Sequence, residues 1–182
     1  MVSVSPLAQN RDREGANFSA YLITFVCYGS WLPGQPGAIN RKQNGFGSRL
    51  PQPDFKTQAQ AATRMKQEPY LVDAIRREVV LTSLQQVCLH RNWTLLAAHV
   101  RTNHVHVVVA AHQSPEQVMN AFKAYASRTL NGMGLDTAER QRWARHGSTR
   151  HLWTRQALSA AVHYVVWEQG ESMASFEMPA TR

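Results

Sequence analysis

Residues 93–111 read WTLLAAHV RTN HVHVVVAA, and this stretch decides the fold. Its two largely apolar runs, 93–100 and 104–111, have the length of β-strands and flank three polar residues. A connection of three residues is typical of a β-hairpin, so the two runs predict neighbouring antiparallel strands.

The segments before this hairpin predict a strand, a long loop and a helix. Residues 20–28 (AYLITFVCY) are apolar on both faces, as is usual for a strand in the centre of a sheet. Residues 29–53 contain half of the glycines and half of the prolines of the chain, so we expect a long loop over 29–68. Apolar residues at helical spacing then predict a helix that begins at Pro69 and ends near residues 90–92.

The segments after the hairpin predict two more helices and a strand. Ser114 and Gln117 form the capping-box pattern of a helix that runs to about Leu130. The remaining elements are predicted, in order, as an irregular basic stretch, a short strand and a third helix over residues 136–150, 151–153 and 156–168.

The order of these elements is that of the split β-α-β, or ferredoxin-like, fold. We therefore predict an α+β domain, with an antiparallel sheet, helices on one face and an additional C-terminal helix. The domain is expected over residues 18–170, between a flexible tail over 1–17 and a C-terminal tail over 171–182. The length of 182 residues suits a single domain.

Composition narrows the class of protein further. The sequence contains no run of about 18 apolar residues, which is the length needed to span a membrane. The polar N-terminus is not expected to be a signal peptide, because it has no apolar segment. Cys27 and Cys88 lie in apolar stretches, which favours buried free thiols in a reducing cytoplasm over a disulfide. The net charge is +8, and 16 of the 20 basic residues are arginine, which suits contacts with phosphate.

His104 and His106 are the sharpest chemical feature of the sequence. Side chains two apart on a strand share a face, so these imidazoles project together and could bind a divalent metal ion. The alternative is a pair of histidines on the exposed face of a strand. In the third helix, Tyr164 and Glu168 are four residues apart and share a side, which would place a nucleophile beside a metal ligand. Tyr125 is a competing tyrosine, but its apolar neighbours at helical spacing indicate a core position.

The motifs resemble those of the HUH single-tyrosine transposases, and in particular the branch of REP-associated tyrosine transposases and small single-strand insertion-sequence transposases. The resemblance rests on TNHVHVVV at 102–109, on YLITF at 21–25 followed by GSWLPG at 29–34, and on HLW at 151–153 followed by AVHYV at 161–165. It spans residues 20–170.

The resemblance implies a metal site and a mechanism. His104 and His106 would hold Mg²⁺ or Mn²⁺, and a polar residue after the tyrosine would complete the site. Family members commonly have an amide there, whereas this chain has Glu168, followed by Gln169. Helical geometry favours Glu168, and Gln169 qualifies if the helix unwinds at its end. Tyr164 would then cleave single-stranded DNA and form a 5′-phosphotyrosine.

The implied substrate is single-stranded DNA with hairpin ends, in a bacterial cytoplasm, and the sequence leaves open whether the protein is a monomer or a homodimer. Basic residues predicted to contact phosphate lie in the long loop, in the helix after the hairpin and in the stretch before the tyrosine: Arg41, Arg49, Lys123, Arg128, Arg142, Arg145, Arg150 and Arg155. Two other functions fit the same charge: a non-catalytic module that binds single-stranded DNA or RNA, and a replication or mobilisation nickase.

Overall fold

The computed structural model describes residues 19–35 and 52–179. Its strands are β1 (Ser19–Cys27), β2 (Thr94–Val100), β3 (His104–Ala111), β4 (Trp143–His151) and β5 (Ala174–Glu177). Its helices are α1 (Phe55–Thr63), α2 (Ala74–Arg91), α3 (Pro115–Gly132) and α4 (Arg155–Trp167).

The strands form one antiparallel sheet in the order β4-β1-β3-β2-β5. The first four strands and the helices α2 and α3 follow the split β-α-β connectivity, which confirms the predicted α+β, ferredoxin-like class. β5 extends the sheet beyond β2.

The two faces of the sheet are covered by different helices. Side chains alternate along each strand, so Ile23 and Phe25 of β1 point to the large core under α2 and α3. The opposite face carries a smaller apolar cluster, in which Val108 of β3 packs with Leu158 and Val165 of α4. Helix α4 therefore packs on the face of the sheet opposite to α2 and α3.

The structure corrects the predicted start of α2 and the extent of the long loop. α2 begins at Ala74, since the Asp73 side chain caps it by accepting from the Arg76 N–H at 2.8 Å. The preceding residues bond to other loops instead, as the Tyr70 N–H does with the Tyr28 carbonyl. The predicted loop over 29–68 contains α1, which Asp54 caps in the same way.

Two strands lie where irregular structure was predicted. β4 covers most of the basic stretch and ends where the short strand was expected, and β5 lies within the predicted C-terminal tail. Both are edge strands. The side chains of β4 are mostly exposed and show no apolar alternation, whereas β5 has only four residues, of which Ala174 and Phe176 pack against the core. The predicted tail over 1–17 lies outside the described residues.

Cys27 and Cys88 are free and buried, as predicted. Within residues 19–35 and 52–179, no helix has the length and hydropathy needed to cross a membrane.

Candidate nuclease site

The two histidines of β3 lie side by side on the face of the sheet that α4 covers, with their ring centroids 4.7 Å apart. Each Nδ1 already has a partner: the Asn103 side-chain oxygen lies 2.7 Å from that of His104, and the Thr24 hydroxyl lies 2.7 Å from that of His106. Pairing at Nδ1 orients each ring and leaves Nε2 as the nitrogen that could bind a metal ion.

Both imidazoles are held in their neutral form. Burial lowers the pKa of His104 to about 4, with Arg101 adding to the effect. Burial also lowers the pKa of His106 to about 3, helped by the neighbouring His104. Because a metal ion binds the unprotonated ring, this pair is ready to bind a cation at neutral pH.

Tyr164 of α4 meets the histidine pair. Its ring centroid lies 5.5 Å from that of His106, and the side chain is 38% exposed, so a substrate could reach its hydroxyl. Thr154 caps the start of α4 by accepting from the Ala157 N–H at 3.0 Å, and the apolar side of the helix packs on the sheet. The competing Tyr125 lies on α3 and packs against the large core on the other face.

The residue after α4 that reaches the histidines is Gln169, and not Glu168. The helix ends at Trp167, so Glu168 is its C-cap, and its carboxylate lies 2.9 Å from Nδ1 of His163 on the exposed side of the helix. The Gln169 side chain lies close enough to both site imidazoles to oppose the lowering of their pKa, while its Nε2 donates to the Tyr164 carbonyl at 3.0 Å. The preference for Glu168 assumed that the helix continues, and it is wrong about where that side chain lies.

A row of polar residues crosses the sheet at the level of His106. The strand register aligns, from one edge to the other, Ser148, Thr24, His106, His99 and Ser175. Residues paired across antiparallel strands share a face, so this row lies on the side of the sheet that α4 covers.

His99 is the member of this row that sequence reasoning missed. It is buried; its Nδ1 lies 2.9 Å from the Val165 carbonyl and its Nε2 accepts from the Met173 N–H at 3.2 Å. It thereby fixes the last turn of α4 and the segment that carries Gln169. Its position within an apolar strand gave no signal, because the pairing with His106 depends on the register.

Two of the basic residues predicted to bind phosphate are buried structural groups instead. The Lys123 ammonium donates to the carbonyls of Ala144 and His146 at 2.9 and 3.2 Å, and burial lowers its pKa to about 8. Arg142 is 4% exposed and forms an ion pair with Asp136 at 3.0 Å. Both groups already use their hydrogen bonds inside the protein, which corrects their assignment as phosphate contacts.

The other basic candidates divide between the two sides of the sheet. Arg128 is exposed on α3, where its guanidinium lies 4.4 Å from the centre of the Tyr125 ring, away from the histidines. Arg145 and Arg150 are exposed on β4, and Arg155 is exposed at the start of α4. Pairing with Leu22 puts Arg150 on the face of the sheet that carries His106. Arg41 and Arg49 lie outside the described residues.

Among the described residues, no group of three or more His, Cys, Asp and Glu side chains is arranged to hold a metal ion. The set at this site is two imidazoles and one amide. No curated protein matches this sequence.

One solved structure with a similar fold is described as a REP-associated tyrosine transposase bound to a REP hairpin. The TM-score is 0.47 and the sequence identity 10%; the match covers 82% of this chain and 66% of that one, so this chain spans slightly less than two thirds of its length. A family described as "Transposase IS200 like" matches residues 55–168, which include both site histidines and Tyr164. Since the matched segment is more than half of the sequence, the chain belongs to the family of IS200-like transposases.

Proposed function

We propose that this chain cleaves and rejoins single-stranded DNA with Tyr164 as its nucleophile. The observation that carries the proposal is the contact between Tyr164 and the histidine pair, with ring centroids 5.5 Å apart. An exposed tyrosine beside neutral, oriented imidazoles is the arrangement expected of a nucleophile beside a metal site.

The donor atoms at the site fit a divalent ion held by His104, His106 and Gln169. In each imidazole the hydrogen-bond partner is at Nδ1, so Nε2 is the nitrogen that could bind the ion. The amide oxygen of Gln169 would supply a harder donor. Two nitrogen ligands favour Mn²⁺ over Mg²⁺, because Mg²⁺ prefers oxygen donors. When bound, the ion would polarise the scissile phosphate and stabilise the charge that develops on it. Glu168 takes no part in this set.

The Tyr164 oxygen would attack the phosphorus of the scissile linkage. A bond forms between that oxygen and the phosphorus, and the bond from phosphorus to the 3′-oxygen of the leaving strand breaks. The tyrosine proton passes to solvent, and the released 3′-oxygen takes up a proton. The products are a 5′-phosphotyrosine and a free 3′-hydroxyl, so a second 3′-hydroxyl could reverse the reaction and rejoin strands without ATP.

The basic surface next to the site is suited to the DNA backbone. Arg150 lies on the same face of the sheet as His106, and Arg155 is exposed at the start of α4, which packs on that face. Arg145 is exposed farther along β4, in the irregular part of its pairing with β1. Arginine forks bind phosphate oxygens well. Single-stranded DNA with hairpin ends is the substrate that the family resemblance implies.

The test is to incubate the protein and Mn²⁺ with hairpin-ended single strands taken from the DNA that flanks its gene. We expect an adduct between protein and DNA that survives denaturing electrophoresis, disappears in Tyr164→Phe and persists in the matched control Tyr125→Phe. An adduct that persists in Tyr164→Phe contradicts the assignment. DNA binding with no adduct under any metal condition supports a non-catalytic binding module instead.

A further inference from the structure

Trp31 has a strained backbone beside the site. Its φ of 49° lies in the left-handed region, which a bulky side chain adopts only when its surroundings force it. Among the described residues, the other non-glycine residue with positive φ is Asn92, which caps the C-terminus of α2 and is a residue type that tolerates this conformation. Trp31 has no such role in a helix, so the strain needs another explanation.

The loop around Trp31 is held firmly enough to maintain that strain. The Ser30 N–H donates to the Cys27 carbonyl at 3.1 Å, and the Leu32 N–H donates to the Gln35 side chain at 2.9 Å. The Asp54 N–H donates to the Gly34 carbonyl at 2.9 Å, and a Cβ at Gly34 would collide with the Asp54 carbonyl. The loop is therefore pinned to the residues that cap α1, and the indole is oriented before any ligand arrives.

The indole packs against a site histidine and remains open to solvent. Its ring centroid lies 5.2 Å from that of His104 with an interplanar angle of 31°, and the side chain is 42% exposed. A tryptophan held in this way gains little from burial in the free protein. What it presents to solvent beside the histidines is a flat aromatic surface.

We propose that Trp31 is a stacking platform for an unpaired nucleobase next to the scissile phosphate. An inference of this kind rests on the proposed function, because the ligand is the same single-stranded DNA. A neutral indole has no charge to attract a phosphate and only one N–H to donate, whereas stacking on an exposed aromatic ring is a general way of binding a base that has left its duplex. A platform fixed in advance also spares the entropy of ordering a loop on binding.

The test measures DNA binding by Trp31→Ala and Trp31→Phe in a Tyr164→Phe background, which cannot cleave. The cleavage position is first read from the products of the wild-type protein. A series of oligonucleotides then carries one abasic site at each position around it. Stacking on an aromatic ring is worth about 1–3 kcal/mol per base, or roughly a 5- to 150-fold change in Kd. We expect one abasic position to weaken binding by this factor with Trp31 present, to have no effect in Trp31→Ala, and to keep most of its effect in Trp31→Phe.

Trp153 provides the matched control. It is 77% exposed and stacks on His151 with centroids 4.6 Å apart, but it does not contact the site histidines. Trp153→Ala should therefore keep the abasic effect at the same position.

An unchanged abasic profile in Trp31→Ala overturns the platform. If that variant also loses Mn²⁺ affinity, the role of Trp31 is only to support His104. If the wild-type protein forms its adduct normally in either case, the proposed function stands and the platform alone fails. A wild-type protein that binds no single strand overturns both.

Discussion

The two faces of this sheet treat polar side chains in opposite ways. Under α2 and α3, charged groups such as Lys123 and Arg142 are buried with their hydrogen bonds directed to neighbouring protein groups. Under α4, His104 and His106 are each paired at one ring nitrogen, and Tyr164 keeps its side chain partly exposed. One face uses its polar groups to fasten strands and helices, and the other, beside the structural His99, also leaves donor atoms available for a ligand.

His99 and His106 show the same contrast within one pair of residues. They lie opposite each other on β2 and β3, and both are buried. Both nitrogens of His99 contact the backbone of α4 and the segment after it, so its ring is fully used in holding that segment. His106 is fixed through Nδ1 by a hydroxyl, which leaves the other nitrogen for chemistry. Two buried histidines can therefore differ in function because of where the second nitrogen points.

The largest expected effect comes from creating a cavity in the core under α2 and α3, on what we call the structural face of the sheet. Phe122 is fully buried and packs edge-on against Trp93, with centroids 5.7 Å apart. Phe122→Ala should lower the free energy of unfolding by about 3–5 kcal/mol, because it leaves a cavity in the core. Urea denaturation measures this, with Tyr164→Phe as the control on the other face, where we expect a change within about 0.5 kcal/mol. Similar losses in the two variants would remove the distinction between the faces.

The next effect tests the buried charges. Asp136 accepts from Tyr70 at 2.6 Å and pairs with Arg142 at 3.0 Å, and both partners of this ion pair are nearly inaccessible. Asp136→Asn leaves the Arg142 charge buried without a counterion, so we expect the free energy of unfolding to fall by roughly 3 kcal/mol at pH 7.

The loss of stability in Asp136→Asn should depend on pH. Burial by itself would raise the pKa of Asp136, but hydrogen bonds from Tyr70, Arg142 and Arg76 outweigh it and lower the pKa. The stabilisation by this carboxylate is complete above the pKa of an unfolded Asp, which is about 4, and is lost as pH falls through the lower native value. The difference between wild type and Asp136→Asn should therefore shrink below about pH 4. A constant difference down to pH 3 would contradict the role of the carboxylate.

The sequence predicted the structural face better than the candidate site. β1, β2 and β3 and the capping box of α3 follow from apolar runs and local hydrogen bonding, which act over a few residues. β4 was missed because an edge strand gains its order from hydrogen bonds to β1 rather than from apolar alternation. Arg142 looked like a phosphate contact because its partner Asp136 could be recognised only after the turn between them was built.

Whether Glu168 or Gln169 lies next to the histidines depends on where α4 ends. Choosing between Glu168 and Gln169 required knowing that α4 ends at Trp167, and no proline or glycine marks that position directly. The left-handed Gly170 is the nearest signal, at φ 76°. The meeting of the histidine pair with Tyr164, in contrast, matches what the family resemblance implied.

A smaller expected effect concerns His106 and its affinity for a metal ion. Thr24→Val keeps the shape of the side chain but removes the hydroxyl that lies 2.7 Å from Nδ1 of His106. Partners of this kind typically contribute 10- to 100-fold to metal affinity, so we expect Mn²⁺ to bind about that much more weakly. Electron paramagnetic resonance titration of free Mn²⁺ measures the change, and Thr24→Ser should retain most of the affinity. Equal affinity in all three proteins would show that the hydroxyl does not support a metal ligand.

The smallest expected effect is on DNA affinity, and it compares an arginine from each side of the sheet. Arg150 shares the face of the sheet that carries His106, whereas Arg128 lies on α3 beside Tyr125. If the DNA strand follows the site face, Arg150→Gln should weaken binding a few-fold and reduce the slope of log affinity against log salt by about 0.7, the value for one phosphate contact on a single strand. Arg128→Gln should leave both unchanged in the same fluorescence anisotropy titration. A loss of slope in Arg128→Gln equal to that in Arg150→Gln would mean that DNA also contacts the α3 side, and that the division between a structural face and a ligand-binding face does not extend to the protein surface.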